Sequence, residues 1–118
     1  MIRPSNEVRV YLCKRHVDMR KSIDGLAALV EQQLCMNPFG EQVFVFCNRK
    51  RDKVKLLLWE RNGFILWYKR LEKERFKWPK PINTDIIELT GQQLNWLLDG
   101  FDLWRNQPHQ RLAFESVV

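Results

Sequence analysis

Basic side chains are concentrated in the middle of the sequence. Residues 43–79 hold 11 of the 20 Lys and Arg residues but only 4 of the 14 acidic residues, whereas the whole chain has a net charge of +6. Lys and Arg neutralise phosphates with release of counterions, so this local excess predicts a polyanionic partner. DNA is favoured over a membrane surface, because no amphipathic helix carries these residues. The alternative to DNA contact is that these basic residues form a hairpin tip that faces only solvent. The candidate phosphate-binding residues are Arg49, Lys50, Arg51, Lys53, Lys55, Lys69, Arg70, Lys73, Arg75 and Lys77.

A second group of candidates lies at the expected start of a helix, where Asp18 is followed by Met19, Arg20 and Lys21. The free amide groups and the dipole of a helix N-terminus attract anions, and Arg20 and Lys21 could complete a phosphate clamp. Alternatively, Asp18 caps the helix and the two basic side chains extend into water. The sequence leaves both interpretations open.

The same central segment contains 8 of the 14 aromatic residues. Aromatic rings stack on unpaired bases, and Trp59, Trp67 and Tyr68 lie between the basic residues. Core packing is the favoured role for most of these rings, because helices must cover a face of the predicted sheet.

Residues that could perform catalysis are not grouped by spacing. The acids are scattered, and no metal pair can be recognised among Asp18, Asp24, Asp52 and Glu60. His16 and His109 are far apart, and the chain has neither a glycine-rich phosphate loop nor a GxSxG motif. We therefore predict a protein that is not an enzyme and that has no cofactor and no metal site. A nuclease that uses some of the scattered carboxylates is an alternative.

Cysteine usage and hydropathy predict the compartment. Cys13, Cys35 and Cys47 are odd in number and form no CxxC pair, which disfavours a disulfide framework or a zinc site. The N-terminus has no apolar run of signal-peptide length, and no 18-residue apolar segment occurs. We expect a protein of the reducing cytoplasm that makes no membrane contact.

Hydrophobic periodicity predicts a strand and then a helix in the first third of the chain. Val8, Val10 and Leu12 recur at every second position, which is the period of a half-buried strand. A helix follows, whose start either Ser22 or Asp18 could cap. It ends at Asn37-Pro38 because proline disfavours helical geometry in the residue before it. The apolar face of this helix comprises Ile23, Leu26, Ala27, Val30 and Leu34.

A three-stranded meander is predicted over residues 43–48, 54–60 and 64–71. Asn62-Gly63 between apolar runs is the strongest short signal for a two-residue hairpin turn. With this turn, Trp59 would lie opposite Leu66, and Lys55 would lie opposite Arg70. The second pair places like charges side by side, which destabilises a sheet unless an acid or a bound anion lies between them.

After the meander, the sequence predicts a basic arm, a short strand and a second helix. The basic arm, residues 72–81, is too charged and Pro-rich for a central strand and is anchored by Phe76 and Trp78. The short strand is predicted over residues 85–89. A capping box that begins at Thr90 predicts the start of the second helix, and Gly100 predicts its end. An edge strand is one option for residues 112–117.

Together these elements predict one α+β domain over residues 1–118, with a core at about 8–102 and a C-terminal tail at 103–118. We expect a curved antiparallel β-sheet, a meander, with about two helices packed on one face. No internal repeat and no low-complexity linker divides the chain.

Three blocks of the sequence resemble a known family. They are HVDMRKSIDGLAALV, NPFGEQVFVFCNRKRDKVKLLLWERNGFILWYKRLEKERFKWP and LTGQQLNWLLDGF. The blocks resemble the TnpB-type accessory protein, the second open reading frame product, of IS66 family insertion sequences, over nearly all of residues 8–102. Val17 and Ser22 stand where the family commonly has threonine and glycine. The matching motif positions are Asp18, Met19, Arg20, Lys21, Asn48, Arg49, Lys55, Lys69, Arg70, Leu71 and Glu72.

The resemblance implies a bacterial protein encoded beside a separate large transposase and needed for efficient transposition. With the basic segment, it predicts a non-enzymatic accessory factor that binds DNA and helps the transposase assemble on the element ends. The expected partners are DNA, the transposase and a companion insertion-sequence protein. The alternative is a protein-interaction module that docks on the transposase without contacting DNA, for which exposed Trp59, Trp67 or Trp104 in an apolar patch would be the sign.

Overall fold

A five-stranded sheet with one helix on each face forms the core of the chain. The structure is a computed structural model and describes residues 5–105. Its elements confirm the predicted α+β class, with a sheet and two helices. In chain order they are β1 (Arg9–Cys13), α1 (Ile23–Gln32), β2 (Gln42–Cys47), β3 (Lys53–Glu60), β4 (Gly63–Arg70), β5 (Ile86–Thr90) and α2 (Gly91–Leu98).

The strands lie in the order β4-β3-β2-β1-β5. β1 runs parallel to β2, and the other neighbouring pairs are antiparallel. The sheet is therefore mixed, whereas the sequence predicted an antiparallel one. The difference arises because α1 carries the chain back along the sheet, so that β2 begins at the same end as β1.

β2 is buried on both faces of the sheet, and this places the two helices on opposite sides. Phe44 and Phe46 pack in the apolar cluster that contains residues of α1, whereas Val43 and Val45 pack in the cluster that contains residues of α2. The sequence predicted both helices on one face. That arrangement would leave one side of β2 in water, and each buried side chain of this size contributes about 1.5–3 kcal/mol.

The hairpin between β3 and β4 turns one residue earlier than predicted. Arg61 and Asn62 form the turn, and Gly63 is already the first residue of β4. Arg61 adopts a positive φ of 54°, which is uncommon for a residue with a side chain. The strand pairing shifts by two residues, so each side chain keeps its predicted face.

Aromatic packing accounts for this register. Trp59 lies opposite Phe64, and the two rings meet edge to face with centroids 5.0 Å apart. Phe39 packs on both rings, at 5.1 Å from Trp59 and 5.3 Å from Phe64. Such aromatic pairs contribute about 0.5–1.5 kcal/mol beyond their area burial, enough to outweigh a local turn preference.

The new register also moves the like-charged pair. Lys55 lies opposite Tyr68, and Lys53, instead of Lys55, lies opposite Arg70. Each basic residue of the observed pair has an acid beside it. Lys53 Nζ is 3.8 Å from Asp52 Oδ1, and Arg70 Nε is 3.0 Å from Glu72 Oε2. These acids offset the repulsion between the two like charges, as such a pair requires.

Residues 71–85, which include the basic arm, connect the two edge strands across one end of the sheet. Phe76 is buried in the cluster that contains α2. The indole Nε1 of Trp78 donates a hydrogen bond to the carbonyl oxygen of Cys13 at 3.0 Å. The predicted anchoring of the arm by these two aromatic residues is therefore confirmed. The option of a strand at 112–117 lies outside the described residues.

The second helix begins and ends as predicted, whereas the first ends earlier than predicted. Thr90 and Gln93 form the capping box of α2, and Gly100 follows the helix with a φ of +99°. α1 begins after Ser22, one of the two predicted N-cap residues, although the Ser22 side chain makes no capping hydrogen bond. The helix ends at Gln32, before the predicted boundary.

Gly91 marks a close approach between the N-terminal segment and the start of α2. A Cβ atom at this position would overlap the carbonyl oxygen of Ser5. We expect Gly91→Ala to lower the free energy of unfolding by about 1–3 kcal/mol, because the backbone of residues 5–6 would have to move. Chemical denaturation followed by tryptophan fluorescence measures this change. Gly63→Ala is the control, since no heavy atom lies within 4 Å of its Cβ position; equal destabilisation by both substitutions would contradict the close approach.

Candidate nucleic-acid interface

Three basic segments meet at one end of the sheet. β1, β2 and β4 end there, and β3 and β5 begin there. The segments at these strand ends are residues 14–21, 48–53 and 69–80, which hold 14 of the 20 Lys and Arg residues but 4 of the 14 acids. We call this surface the basic end, and the opposite end, which contains the β3–β4 turn, the far end.

Asn48 shapes the basic loop between β2 and β3. Its Oδ1 accepts hydrogen bonds from the N–H groups of Asp52 and Lys53, at 3.1 and 3.0 Å, and its Nδ2 donates to Asp52 Oδ1 at 2.7 Å. The bond from Nδ2 is the main cause that lowers the pKa of the Asp52 carboxyl. The side chain of Asn48 thus closes the loop from within, and Arg49 and Lys50 are exposed at its tip.

The basic arm is fastened to this loop by main-chain hydrogen bonds. The Leu71 N–H donates to the carbonyl oxygen of Asp52 at 2.8 Å, and the Phe76 N–H donates to that of Arg51 at 2.7 Å. The guanidinium of Arg51 also lies over the ring of Trp78, with Cζ 5.8 Å from the centroid. The loop and the arm therefore form one continuous surface.

The segment after β1 is tied to the same end. The Val17 N–H donates to the carbonyl oxygen of Cys47 at 2.9 Å, and the Val17 side chain is buried. Lys55 Nζ donates to the carbonyl oxygens of Met19 and Lys21, at 2.7 and 3.0 Å. Lys55 thus holds backbone in place, and the burial of Val17 accounts for an apolar residue at a position where threonine was expected.

Asp18 is paired with Arg20 and does not cap α1, whose N-cap residue is Ser22. Asp18 Oδ2 lies 2.8 Å from Nη2 of Arg20, and its Oδ1 accepts from the Arg20 N–H at 2.9 Å. The hydrogen bonds from Arg20 lower the pKa of the Asp18 carboxyl to about 2. The charge of Arg20 is therefore partly compensated at neutral pH, while the phosphate clamp of Arg20 and Lys21 stays a prediction.

The twelve predicted phosphate-binding residues fall into three groups by their contacts. Within residues 5–105, no acid lies within ion-pair distance of Lys21, Arg49, Lys50, Arg51, Lys73, Arg75 or Lys77. Carboxylate partners are present for Arg20, Lys53 and Arg70. Backbone carbonyls accept hydrogen bonds from Lys55 and from Lys69, whose Nζ lies 2.9 Å from the carbonyl oxygen of Leu98 at the end of α2.

The sequence reasoning missed three basic residues at this end, namely Lys14, Arg15 and Lys80. Lys14 and Arg15 directly follow β1, and they join the basic end because β1 is parallel to β2. Arg15 pairs with Asp85 at 2.7 Å. Lys80 is exposed and belongs to the basic arm, so the charge of the arm was a signal that could have identified it.

The aromatic residues at the basic end differ from those that the sequence singled out for stacking. Trp59 lies in the aromatic cluster of the far end, and Trp67 packs against the core on the α2 side. Tyr68 is 48% exposed and lies near the basic end on the α1 side. The indoles of Trp78 and Trp104 lie beside the basic arm.

Two open grooves lie on the basic end. The first has a volume of about 560 Å³, and residues that line it include His16, Asp18, Asn48, Arg49, Lys50 and Lys53. The second, which we call the indole groove, has a volume of about 540 Å³ and is lined by Arg51, Arg75, Phe76, Lys77, Trp78, Pro79, Lys80, Asp102, Trp104 and Arg105. Basic residues outnumber acidic ones in both, so both suit an anionic ligand.

The buried thiols at this end are poorly suited to nucleophilic chemistry. Desolvation by burial raises the pKa of the Cys47 thiol to about 11 and also raises that of Cys13. Thiols of this kind are neutral at pH 7, whereas the thiolate is the nucleophile and the metal ligand. Among residues 5–105, no three His, Cys, Asp or Glu residues are placed to hold a metal ion together. No helix in the same range is long and apolar enough to cross a membrane.

Comparisons with known proteins identify relatives of this chain. A family model described as IS66 Orf2 like protein matches residues 8–108. The uncharacterized protein y4jC of Sinorhizobium fredii is 31% identical over 105 residues, which cover 89% of each chain. The uncharacterized protein y4hO of the same organism is 35% identical over 106 residues, or 90% of each chain. No solved structure matches.

Because Asn48 shapes the basic loop, we expect Asn48→Ala to lower the free energy of unfolding by about 1–3 kcal/mol, since two backbone N–H groups lose their acceptor. Denaturant unfolding measures this loss, and amide hydrogen exchange of Asp52 and Lys53 should speed up. Asn62→Ala, in the other hairpin turn, is the matched control and should change stability by less. Unchanged exchange at both amides in the Asn48 variant would contradict this role.

Proposed function

The chain belongs to the IS66 Orf2-like family, and on this premise we propose that it is a non-enzymatic accessory protein that binds DNA through its basic end. Membership of the family makes it a protein associated with transposition. The proposal adds that it contacts DNA directly while a separate transposase performs the strand chemistry. The observation that carries the proposal is the meeting of three separate basic segments at one end of a single sheet.

The contacts within the basic end support binding of phosphates. Arg49 and Lys50 are exposed at the loop tip, and Arg75 and Lys77 are exposed on the arm. Hydrogen bonds between backbone groups fix the loop and the arm relative to each other. The backbone that carries these side chains therefore loses little conformational entropy on binding. Phosphate contacts of this kind position a protein on DNA without specifying a base sequence.

The acids at this end support a binding role over a nuclease role. Of the four acids in these segments, three already have partners: Asp18 pairs with Arg20, Glu72 pairs with Arg70, and Asp52 accepts from Asn48. A metal-dependent nuclease needs several carboxylates that converge on one ion, and these carboxylates are instead distributed over separate cationic or amide partners. We therefore assign the acids to shaping the surface.

A second candidate function is docking on the transposase through the far end. There, Phe39 is 50% exposed and packs on Trp59 and Phe64, beside a groove of about 500 Å³ that also contains Glu41 and Glu60. Exposed aromatic groups of this kind are typical of protein contacts. The two functions are compatible, because the sites lie at opposite ends of the sheet.

DNA binding is tested by the salt dependence of affinity, measured by fluorescence anisotropy with a labelled duplex. For the double variant Arg49→Gln and Lys50→Gln, we expect the slope of log affinity against log salt to fall by about 0.9 for each lost phosphate contact. At low salt, affinity should fall about tenfold or more.

The matched control is the double variant Arg9→Gln and Arg61→Asn, which removes the same charge at the far end and places a residue tolerant of positive φ at the turn. It should retain most of the affinity. Equal weakening by both double variants would contradict a localised interface. Absence of binding to any DNA would reject the proposal and leave docking on the transposase as the function.

A further inference from the structure

The indole groove differs from the rest of the basic end because it combines cations with large aromatic rings. Arg51, Arg75, Lys77, Lys80 and Arg105 line it together with two indoles and one acid. That acid, Asp102, accepts hydrogen bonds from the backbone N–H groups of Trp104 and Arg105, at 2.9 and 3.0 Å. The carboxylate of Asp102 is thus hydrogen-bonded within its own turn. Because the lining has five basic residues and this one acid, the groove keeps a net positive charge.

The polar atoms of both indoles are directed into the protein. Nε1 of Trp78 donates to the carbonyl oxygen of Cys13 at 3.0 Å, and Nε1 of Trp104 donates to that of Lys77 at 2.6 Å. These bonds fix the orientation of each ring. The parts of both side chains that line the groove are therefore apolar ring surfaces, which suit a flat apolar group more than a hydrogen-bonded polar one.

The Arg51 guanidinium adds a planar cation beside these rings. It lies over Trp78, with Cζ 5.8 Å from the ring centroid, and its buried Nη1 belongs to the interior, where Arg51 lies beside the Cys47 thiol. Arg51 therefore contributes positive charge to the wall of the groove, and the exposed Arg75 and Lys77 are cations that a ligand can reach. The ring nitrogens and carbonyl oxygens of a nucleobase are acceptors attached to a flat aromatic group, which suits a wall of this kind.

We propose that the indole groove binds an unpaired nucleobase of a DNA strand whose phosphates lie on the basic end. The inference rests on the proposed function and deepens it, because it assigns the chain a preference for DNA with an unpaired segment. Base–aromatic stacking combined with a cationic wall is the general means by which proteins hold single strands. The volume of about 540 Å³ is within the range of roughly 300–1,000 Å³ typical of small-ligand sites.

The test uses the whole chain and three DNA probes: a blunt duplex, the same duplex with a short single-stranded thymidine extension, and the duplex with an abasic extension of equal length. The two extensions carry the same phosphates, so a difference between them reports the bases alone. We expect the wild-type protein to bind the thymidine probe roughly 5- to 100-fold more tightly than the abasic probe, the range for one stacked base.

Variants of Trp104 locate this preference. Trp104→Leu should abolish the difference between the two extensions, whereas Trp104→Phe should keep most of the difference because a ring remains. Trp96→Leu is the matched control, since Trp96 is an exposed indole on α2 that does not line the groove. Thermal unfolding shows whether each variant is folded, and if Trp104→Leu is not, the wild-type comparison and Trp104→Phe carry the test.

Three outcomes would overturn the inference. They are equal affinity of the wild-type protein for the thymidine and abasic extensions, a loss of the difference in Trp96→Leu as large as in Trp104→Leu, and a Phe variant that behaves like the Leu variant. If the blunt duplex is bound in each case, the proposed function stands without this inference. If no probe is bound, the proposed function itself fails.

Discussion

The burial of β2 on both faces is the constraint on which the rest of the structure depends. Large apolar side chains alternate on the two sides of this strand, so neither side can face water without a loss of several kcal/mol. A strand of this kind must lie in the interior of a sheet with cover above and below. α1 supplies the cover on one face, and α2 with the buried Phe76 supplies it on the other.

This arrangement also decides where the charges lie. Because α1 returns the chain along the sheet, β1 and β2 end at the same place, and the antiparallel hairpin then brings the end of β4 there as well. The segments that follow these strands are the basic ones. Gathering so many cations at one end raises the energy of the unbound protein by mutual repulsion, which a bound polyanion would relieve.

Features that depend on neighbours in sequence could be predicted from the sequence. The capping box at Thr90, the anchoring of the arm by Phe76, and the basic character of residues 48–53 are of this kind. The hairpin register could not, because the Asn62-Gly63 signal is local whereas Phe39, which packs on the rings of Trp59 and Phe64, comes from a distant loop.

The composition of the basic end was only partly predictable for the same reason. Lys14 and Arg15 reach it through a parallel strand pairing, and Trp104 reaches it by a hydrogen bond to Lys77, so neither contribution has a signal in the local sequence. Lys55 and Lys69 were predicted as phosphate ligands from charge alone, and the local sequence had no signal for the hydrogen bonds that both donate to backbone carbonyls. Charge in a sequence identifies a basic segment, and the contacts decide which of its side chains face a partner.

The most direct test of the central claim is a map of backbone amide chemical shifts on addition of duplex DNA at low salt. The account predicts that shifts and line broadening concentrate in residues 14–21, 48–53 and 69–80 and are small at residues 36–41 and 59–64. Shifts spread evenly over the surface, or concentrated at the far end, would contradict a single DNA-binding surface at the basic end.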